Sequence, residues 1–336
     1  MNAAAPGPLL RDGASAEALA EAAERLAAGR LVAFPTETVY GLGARADEAA
    51  AVAAIYAAKG RPADHPLIVH VAEPQDAVAF TRDWPPLAQR LAAAFWPGPL
   101  TLILPRRAGL AEAAAGGQDS LGLRCPDHPV ARALLRAAAA RGVPGVAAPS
   151  ANRFGRISPT RAAHVLDEFA ALGPEALLIL DGGACAVGIE STIVDLSRGR
   201  PVLLRPGQLG AEAVAAAAGE PVRPPDADAP RASGTLASHY APRARLLLMS
   251  AEALQAALER LPGDAPAPAV YARARLALPP ALAELRMPAE PAAAAQALFA
   301  DLRRLDAGHP AAIWVETPPD TADWAGVRDR LRRAAA

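Results

Sequence analysis

Four cations in this chain stand beside residue types that can hold an anion without bulk. Lys59 and Arg61 flank Gly60. A glycine between two cations lets the backbone approach a phosphate while both side chains converge on it, and the same trio also suits a solvated helix end, where cations meet the carbonyl dipole. Pro149-Ser150-Ala151-Asn152, followed by Gly155 and Ser158-Pro159-Thr160, supplies small hydroxyl and amide groups able to wrap an anion. Ser158 reads equally as a turn or helix-capping residue. Arg124 and Arg205 each end a short apolar run, and either alone is an ordinary surface arginine. Glu190-Ser191-Thr192 opens another apolar run and fits a turn as well as a site. Together these side chains gather at the ends of expected elements, where open α/β sheets place their ligands.

The missing motifs narrow the chemistry. No G-x-x-x-x-G-K-[ST] occurs, so ATP would not be held by a P-loop, and Gly41-Leu42-Gly43 lacks the third glycine and downstream acid of a dinucleotide fingerprint. Neither G-x-S-x-G nor H-E-x-x-H is present. His65, His70, His128 and His164 are not spaced as a zinc set, so the expected metal is magnesium carried by a nucleotide, with no ligand from protein side chains. Cys125 and Cys185 are the only cysteines. They are expected to be reduced and buried. The formal charge of -1 offers no net pull toward a nucleic-acid backbone.

The elements that must position these residues follow from periodicity. Ala14–Ala28 places Leu19, Ala22, Ala23 and Leu26 on one helical face and closes at Gly29. Leu31–Phe34 reads as the next strand and delivers Pro35-Thr36-Glu37-Thr38 to its carboxyl end. Further strands are expected at Leu67–Val71, Leu100–Leu104, Leu121–Arg124, Gly145–Ala148, Leu177–Leu180, Ile189–Leu196 and Val202–Leu204. Helices are expected at Asp47–Ala58, Leu87–Phe95, Pro129–Arg141 and Thr160–Phe169. This mixture predicts an α/β unit over residues 12–210, with a sheet that is partly antiparallel. Residues 219–242 change to Pro, Asp, Ala, Ser and Gly and read as a linker. Over 243–336, strands at Arg245–Met249, Ala269–Tyr271 and Ala311–Val315 and helices at Ala294–Leu305 and Ala325–Arg333 predict a small doubly wound α/β domain. No apolar run approaches the roughly 20 residues of a membrane span. Met1–Arg11 lacks the basic patch and apolar stretch of a leader. A soluble, cytoplasmic protein is the expectation.

Read in order, Pro35-Thr36-Glu37-Thr38-Val39-Tyr40-Gly41-Leu42, Lys59-Gly60-Arg61-Pro62, His65-Pro66-Leu67-Ile68-Val69-His70, Phe95-Trp96-Pro97-Gly98-Pro99-Leu100-Thr101, Arg124-Cys125-Pro126-Asp127-His128-Pro129, Pro149-Ser150-Ala151-Asn152, Glu190-Ser191-Thr192-Ile193-Val194-Asp195 and Leu204-Arg205-Pro206-Gly207 resemble the threonylcarbamoyl-AMP synthase (YrdC-like) family. His239-Tyr240-Ala241-Pro242 and the α/β unit after it resemble the long members, which carry an additional carboxyl-terminal domain. The linker departs from the usual Pro-Gly-Met-x-x-x-His-Tyr-Ala-Pro form, with Ala232-Ser233-Gly234-Thr235 before Leu236.

The resemblance implies a twisted mixed sheet bounding a large, concave, basic site. It also implies roles for individual residues. Threonine would be held by Thr38, His70, Arg124 and Ser191 with backbone near Ala148. ATP would be held by Lys59, Arg61, His65, Ser120, Ser150, Asn152, Ser158 and Arg205, with Tyr240 reaching in from the linker. Lys59 and Arg61 would be catalytic, and the linker would act as a lid. L-threonine, bicarbonate and Mg2+-ATP would give threonylcarbamoyl-AMP and pyrophosphate, without a tightly bound organic cofactor. A separate threonylcarbamoyl-transferase complex acting on tRNA would consume the product, and neither membrane nor stable nucleic-acid binding is expected. The competing class is a double-stranded RNA-binding or ribosome-maturation module using the same concavity. Carbamoyl-adenylate chemistry serving hydrogenase maturation is a second alternative, and the chain lacks the zinc-finger-like cysteines and acylphosphatase segment that accompany it.

Overall fold

The computed structural model describes residues 7–262, 265–277 and 282–336. Of Met1–Arg11, expected to carry no leader, residues 1–6 lie outside the described residues. The chain divides into two units. The first runs to Phe154 and resumes over Ser158–Thr235. The second comprises Gly155–Ile157 and Leu236–Ala336.

The first unit contains β1 (Leu9–Asp12), α1 (Ala16–Ala27), β2 (Leu31–Phe34), β3 (Gly41–Arg45), α2 (Ala49–Lys59), β4 (Ile68–His70), α3 (Pro86–Phe95) and β5 (Leu100–Pro105). It continues through β6 (Ser120–Arg124), α4 (Pro129–Ala139), β7 (Val146–Ala147), α5 (Ala162–Glu168), β8 (Leu177–Asp181), β9 (Thr192–Asp195), β10 (Val202–Arg205) and α6 (Ala211–Ala218). Its strands form one mixed sheet in the order β1-β8-β2-β3-β7-β4-β6-β5-β9-β10. β4 runs parallel to β6, with His70 opposite Arg124, and β5 parallel to β9. β6 pairs antiparallel with β5, and β10 with β9.

Strand periodicity divides the core between the two faces of this sheet. On β2, Val32 and Phe34 pack with Ala22 and Leu26 of α1 and Leu134 of α4. The alternate residues Leu31 and Ala33 join the cluster containing Ile55 of α2, Leu91 of α3 and Val165 of α5. Full burial of one such leucine or phenylalanine contributes about 1.5–3 kcal/mol. Local signals set the helix ends. Ser15 caps α1 by accepting from the Ala18 amide, and Gly29 follows at φ 73°. Gly60 ends α2 at φ 63°, with open space where a Cβ would stand, so the left-handed conformation, not crowding, calls for glycine.

In the second unit, β11 (Arg245–Met249), α7 (Ala251–Glu259), β12 (Ala269–Ala272), β13 (Glu284–Arg286), α8 (Pro291–Ala307), β14 (Ala312–Glu316) and α9 (Ala325–Ala334) follow in order. Its strands are all parallel, ordered β11-β14-β12-β13. Leu254, Leu258, Val270 and Ala272 form one of its buried clusters. No described helix is long and apolar enough to cross a membrane.

β1, β3, α6, α7 and β13 stand outside the expected elements, although α7 has a capping Ser250 and Leu254 and Leu258 one turn apart. The strand expected over Ile189–Leu196 is confined to Thr192–Asp195. Glu190 and Ser191 instead turn their side chains to Ser158 and Arg205. Both cysteines are free and buried, and burial pushes each thiol up to about 12.

Candidate functional site

The order of the sheet brings the residues expected to hold threonine into a row. His70 ends β4 and Arg124 ends the neighbouring β6. Ser191 precedes β9, and its hydroxyl lies 2.7 Å from that of Thr101 on β5. Arg205 ends β10, donating from Nε to the Ser191 carbonyl at 3.0 Å and from Nη2 to the Ser191 hydroxyl at 3.1 Å. Thr38 is buried in the turn after β2, its hydroxyl 2.8 Å from that of Thr36, which itself donates to the Val39 carbonyl. The Ala148 amide donates to the Ile68 carbonyl at 2.9 Å, fixing backbone beside β4.

Desolvation sets the charge state of His70, which is 3% exposed. Burial first, and then the Arg124 guanidinium, lower its pKa to about 3, against weaker support for the charged form from the Val146 and Ile68 backbone. Its Nδ1 has no hydrogen-bond partner among the described residues. The ring is therefore a neutral group with one buried nitrogen unpaired among the described residues. Arg124 is 4% exposed and forms a 2.6 Å ion pair with Glu37.

Of the residues expected on the ATP side, Lys59, Arg61 and His65 meet the 150–154 segment. Lys59, 2% exposed, donates from Nζ to the carbonyls of Ser150 at 2.6 Å and Asn152 at 2.5 Å. Burial, reinforced by Arg61, lowers its pKa well below the usual lysine range, and a neutral amine still has the two N–H groups these acceptors need. Lys59 thus grips the loop that presents Ser150 and Asn152. Arg61 donates to the Pro66 carbonyl at 2.9 Å and packs its guanidinium 5.7 Å from the Phe154 ring centroid. His65 meets the same ring edge-on at 5.2 Å, its pKa lowered by burial and by Arg61. Ser158 is buried and donates to Glu190. Ser120, at the start of β6, lines a narrow cleft with Thr101 and Ile193.

The segment expected to be a linker contributes to this cleft. Arg231, Ala232 and Ser233 line its other side. The Ser233 carbonyl accepts from Arg205 at 2.8 Å, and its hydroxyl lies 3.5 Å from Arg61 Nη2. Gln118 and Arg231 exchange two further hydrogen bonds that hold the segment down. Tyr240 belongs to the second unit. It is buried at φ 63°, with Phe299 5.4 Å away between centroids and the Arg330 guanidinium 5.5 Å above its ring.

Residues without an expected role also occupy the site, among them Glu37, Thr101, Glu190 and Ser233. Glu37 and Thr101 sit inside motifs whose other members draw attention to them. Ser233 falls where the linker departs from the usual pattern. Among the described residues no three His, Cys, Asp or Glu side chains come together as a metal cluster. A donor set of guanidinium, hydroxyl, amide and imidazole groups suits anionic ligands.

Related proteins share this architecture. A family profile described as telomere recombination, Sua5_yciO_yrdC, matches residues 24–207. A second, described as threonylcarbamoyl-AMP synthase, C-terminal domain, matches residues 204–336. The chain is 43% identical over 226 residues to the threonylcarbamoyl-AMP synthase of Pyrococcus abyssi, covering 66% of this chain and 64% of that protein. It is 43% identical over 236 residues to that of Bacillus subtilis, covering 68% and 66%. The matched region thus spans just under two thirds of these relatives' length. The crystal structure of P. abyssi Sua5 complexed with L-threonine superposes with a TM-score of 0.87 at 33% identity, over 98% of this chain and 96% of that one.

Proposed function

This chain belongs to the Sua5/YciO/YrdC family, in the long form that ends in the threonylcarbamoyl-AMP synthase C-terminal domain, and on that footing we propose that it is an L-threonylcarbamoyladenylate synthase. L-threonine, bicarbonate and ATP are its substrates in this reading. The product serves threonylcarbamoyl-adenosine modification of tRNA through a separate transferase complex, in the cytoplasm. The carrying observation is the bonding of Arg205, whose guanidinium holds Ser191 on the threonine side and Ser233 beside Arg61 on the ATP side. One cation thereby connects the two sets of ligand groups.

The threonine carboxylate docks on Arg124, and Thr38, His70 and Ser191 surround the rest of the amino acid. The amine condenses with bicarbonate to a carbamate, and water leaves. A carbamate oxygen then attacks the α-phosphorus of ATP, a new P–O bond forms, and the bond to the β-phosphate breaks to release pyrophosphate. Arg61 and Arg205 offset charge on the phosphates while Ser150 and Asn152 donate to their oxygens and Ser158, its hydroxyl held by Glu190, lines that side, so most of the rate enhancement is electrostatic and positional. Lys59 sets the shape of the 150–152 loop, and His65 and Ser120 flank the nucleotide. A magnesium ion carried by ATP would add charge neutralisation at the phosphates.

The test is incubation of the full chain with labelled bicarbonate, L-threonine and magnesium-ATP. The expected result is an AMP adduct and pyrophosphate that both require threonine. Label that never enters an adenylate, or pyrophosphate release indifferent to threonine, would overturn the reading. Serine is the control for the threonine methyl, worth about 1–3 kcal/mol of discrimination.

A further inference from the structure

Arg124 is held by more than its own strand. Glu37 lies in the turn after β2, which is separated from β6 in the sheet by β3, β7 and β4. Its side chain nevertheless reaches Arg124, with Oε1 accepting from Nη2 at 2.6 Å. Its Oε2 accepts from the Asp127 amide at 3.0 Å, and its carbonyl accepts from the Val187 amide at 2.7 Å. Arg124 Nε donates to the Gly98 carbonyl at 3.4 Å. The side edge of the guanidinium, formed by Nε and Nη2, is therefore occupied by the protein. Nη1 makes no hydrogen bond among the described residues. Both partners are buried, Glu37 at 7% exposure.

We propose that Glu37 is a positioning residue: it fixes the guanidinium plane of Arg124 and leaves the Nη1 end to receive the amino-acid carboxylate. This rests on the reading of Arg124 as the threonine anchor. A buried arginine without an acceptor on its side edge would turn that edge toward an incoming carboxylate and seat the ligand in a different orientation. Glu37 blocks that alternative. The Asp127 contact holds Glu37 in turn, because its second oxygen is committed to a backbone amide. A glutamine at position 37 can satisfy only one of the two donors, since its amide nitrogen must face either Arg124 or the Asp127 N–H.

Steady-state kinetics of Glu37→Gln in the full chain, with threonine and ATP varied separately, test the assignment. The KM for threonine should rise at least roughly tenfold, with kcat at saturating threonine within about threefold and the KM for ATP within about twofold of wild type. Glu37→Asp, which keeps the charge, should recover part of the loss. A second measurement needs no variant to fold. In wild-type chain carrying 15N-labelled arginine, threonine should shift the Nη1 resonance of Arg124 and leave Nη2 nearly unmoved. A threonine KM within twofold of wild type, a lowered KM, or a larger shift at Nη2 than at Nη1 overturns the role of Glu37. Wild-type turnover that ignores threonine would bring down the functional reading as well, and is distinguishable because it requires no substitution.

Discussion

Acid should destabilise this protein through His70, to an extent its burial allows to be bounded. The ring ends β4, with Val146 of β7 and Arg124 of β6 opposite it in the flanking strands. Its pKa stands at about 3, against 6.5 for the unperturbed group, with burial the larger cause and the Arg124 charge the second. Between those values the unfolded chain takes up a proton that the folded protein refuses. Stability is thus fully present above about pH 6.5 and declines as pH falls toward 3, by at most about 1.4 kcal/mol per unit. Across the window the upper bound is about 5 kcal/mol, comparable with the whole stability of many domains. Urea unfolding of wild type and His70→Gln, in steps of roughly one unit from about pH 7 to about pH 4, isolates the effect because glutamine does not titrate. His65 and His128, also shifted downward by burial, are common to both proteins and cancel in the difference. Wild type should lose about 2–3 kcal/mol more than the variant between pH 6 and pH 4. Curves that stay parallel to within about 0.5 kcal/mol would mean that the ring is protonated equally in both states, refuting its desolvation beside Arg124.

Two further outcomes follow from the site. Lys59→Ala leaves the Ser150 and Asn152 carbonyls without their shared donor. It should lower stability by about 1–3 kcal/mol for each unpaired acceptor and reduce threonine-dependent AMP-adduct formation roughly tenfold or more, as should Arg61→Ala for the lost phosphate contact; near-wild-type turnover in folded variants removes these residues from the mechanism. Gly207→Ala would place a Cβ 2.5 Å from the Thr192 amide nitrogen. Thermal denaturation should register a loss of about 1–3 kcal/mol, with a weakened ATP KM because Arg205 sits two residues away, and unchanged melting would show that the backbone yields freely there.

Periodicity located the elements with strong apolar runs. Leu31–Phe34 and Arg245–Met249 form strands with the expected limits. Where backbone pairing rather than side-chain pattern makes the strand, the signal is absent. Leu9–Asp12 has only two apolar residues and is held by parallel pairing to β8. Gly41–Arg45 contains two glycines, which lower strand propensity, yet a Cβ at Gly43 would come within 2.7 Å of Phe34 and 2.8 Å of Val146. The candidate site rests in the sequence on a set of residue types at element ends, and the resemblance to a family supplies their grouping. What Lys59 holds was not legible, because its acceptors are main-chain carbonyls that carry no sequence identity. The partnership of Arg124 with Glu37 was likewise hidden: a glutamate in a turn gives no sign of which distant strand it will meet.

The grip of Lys59 on the 150–152 carbonyls separates scaffold from reader. Since the amine holds backbone, a change at the Ser150 hydroxyl leaves both Lys59 contacts in place, whereas the Asn152 carboxamide is itself tied to the Arg153 carbonyl at 2.7 Å. On the proposed reading, ligand preference is therefore open to engineering at Ser150 without rebuilding the strand and helix that bring the loop there.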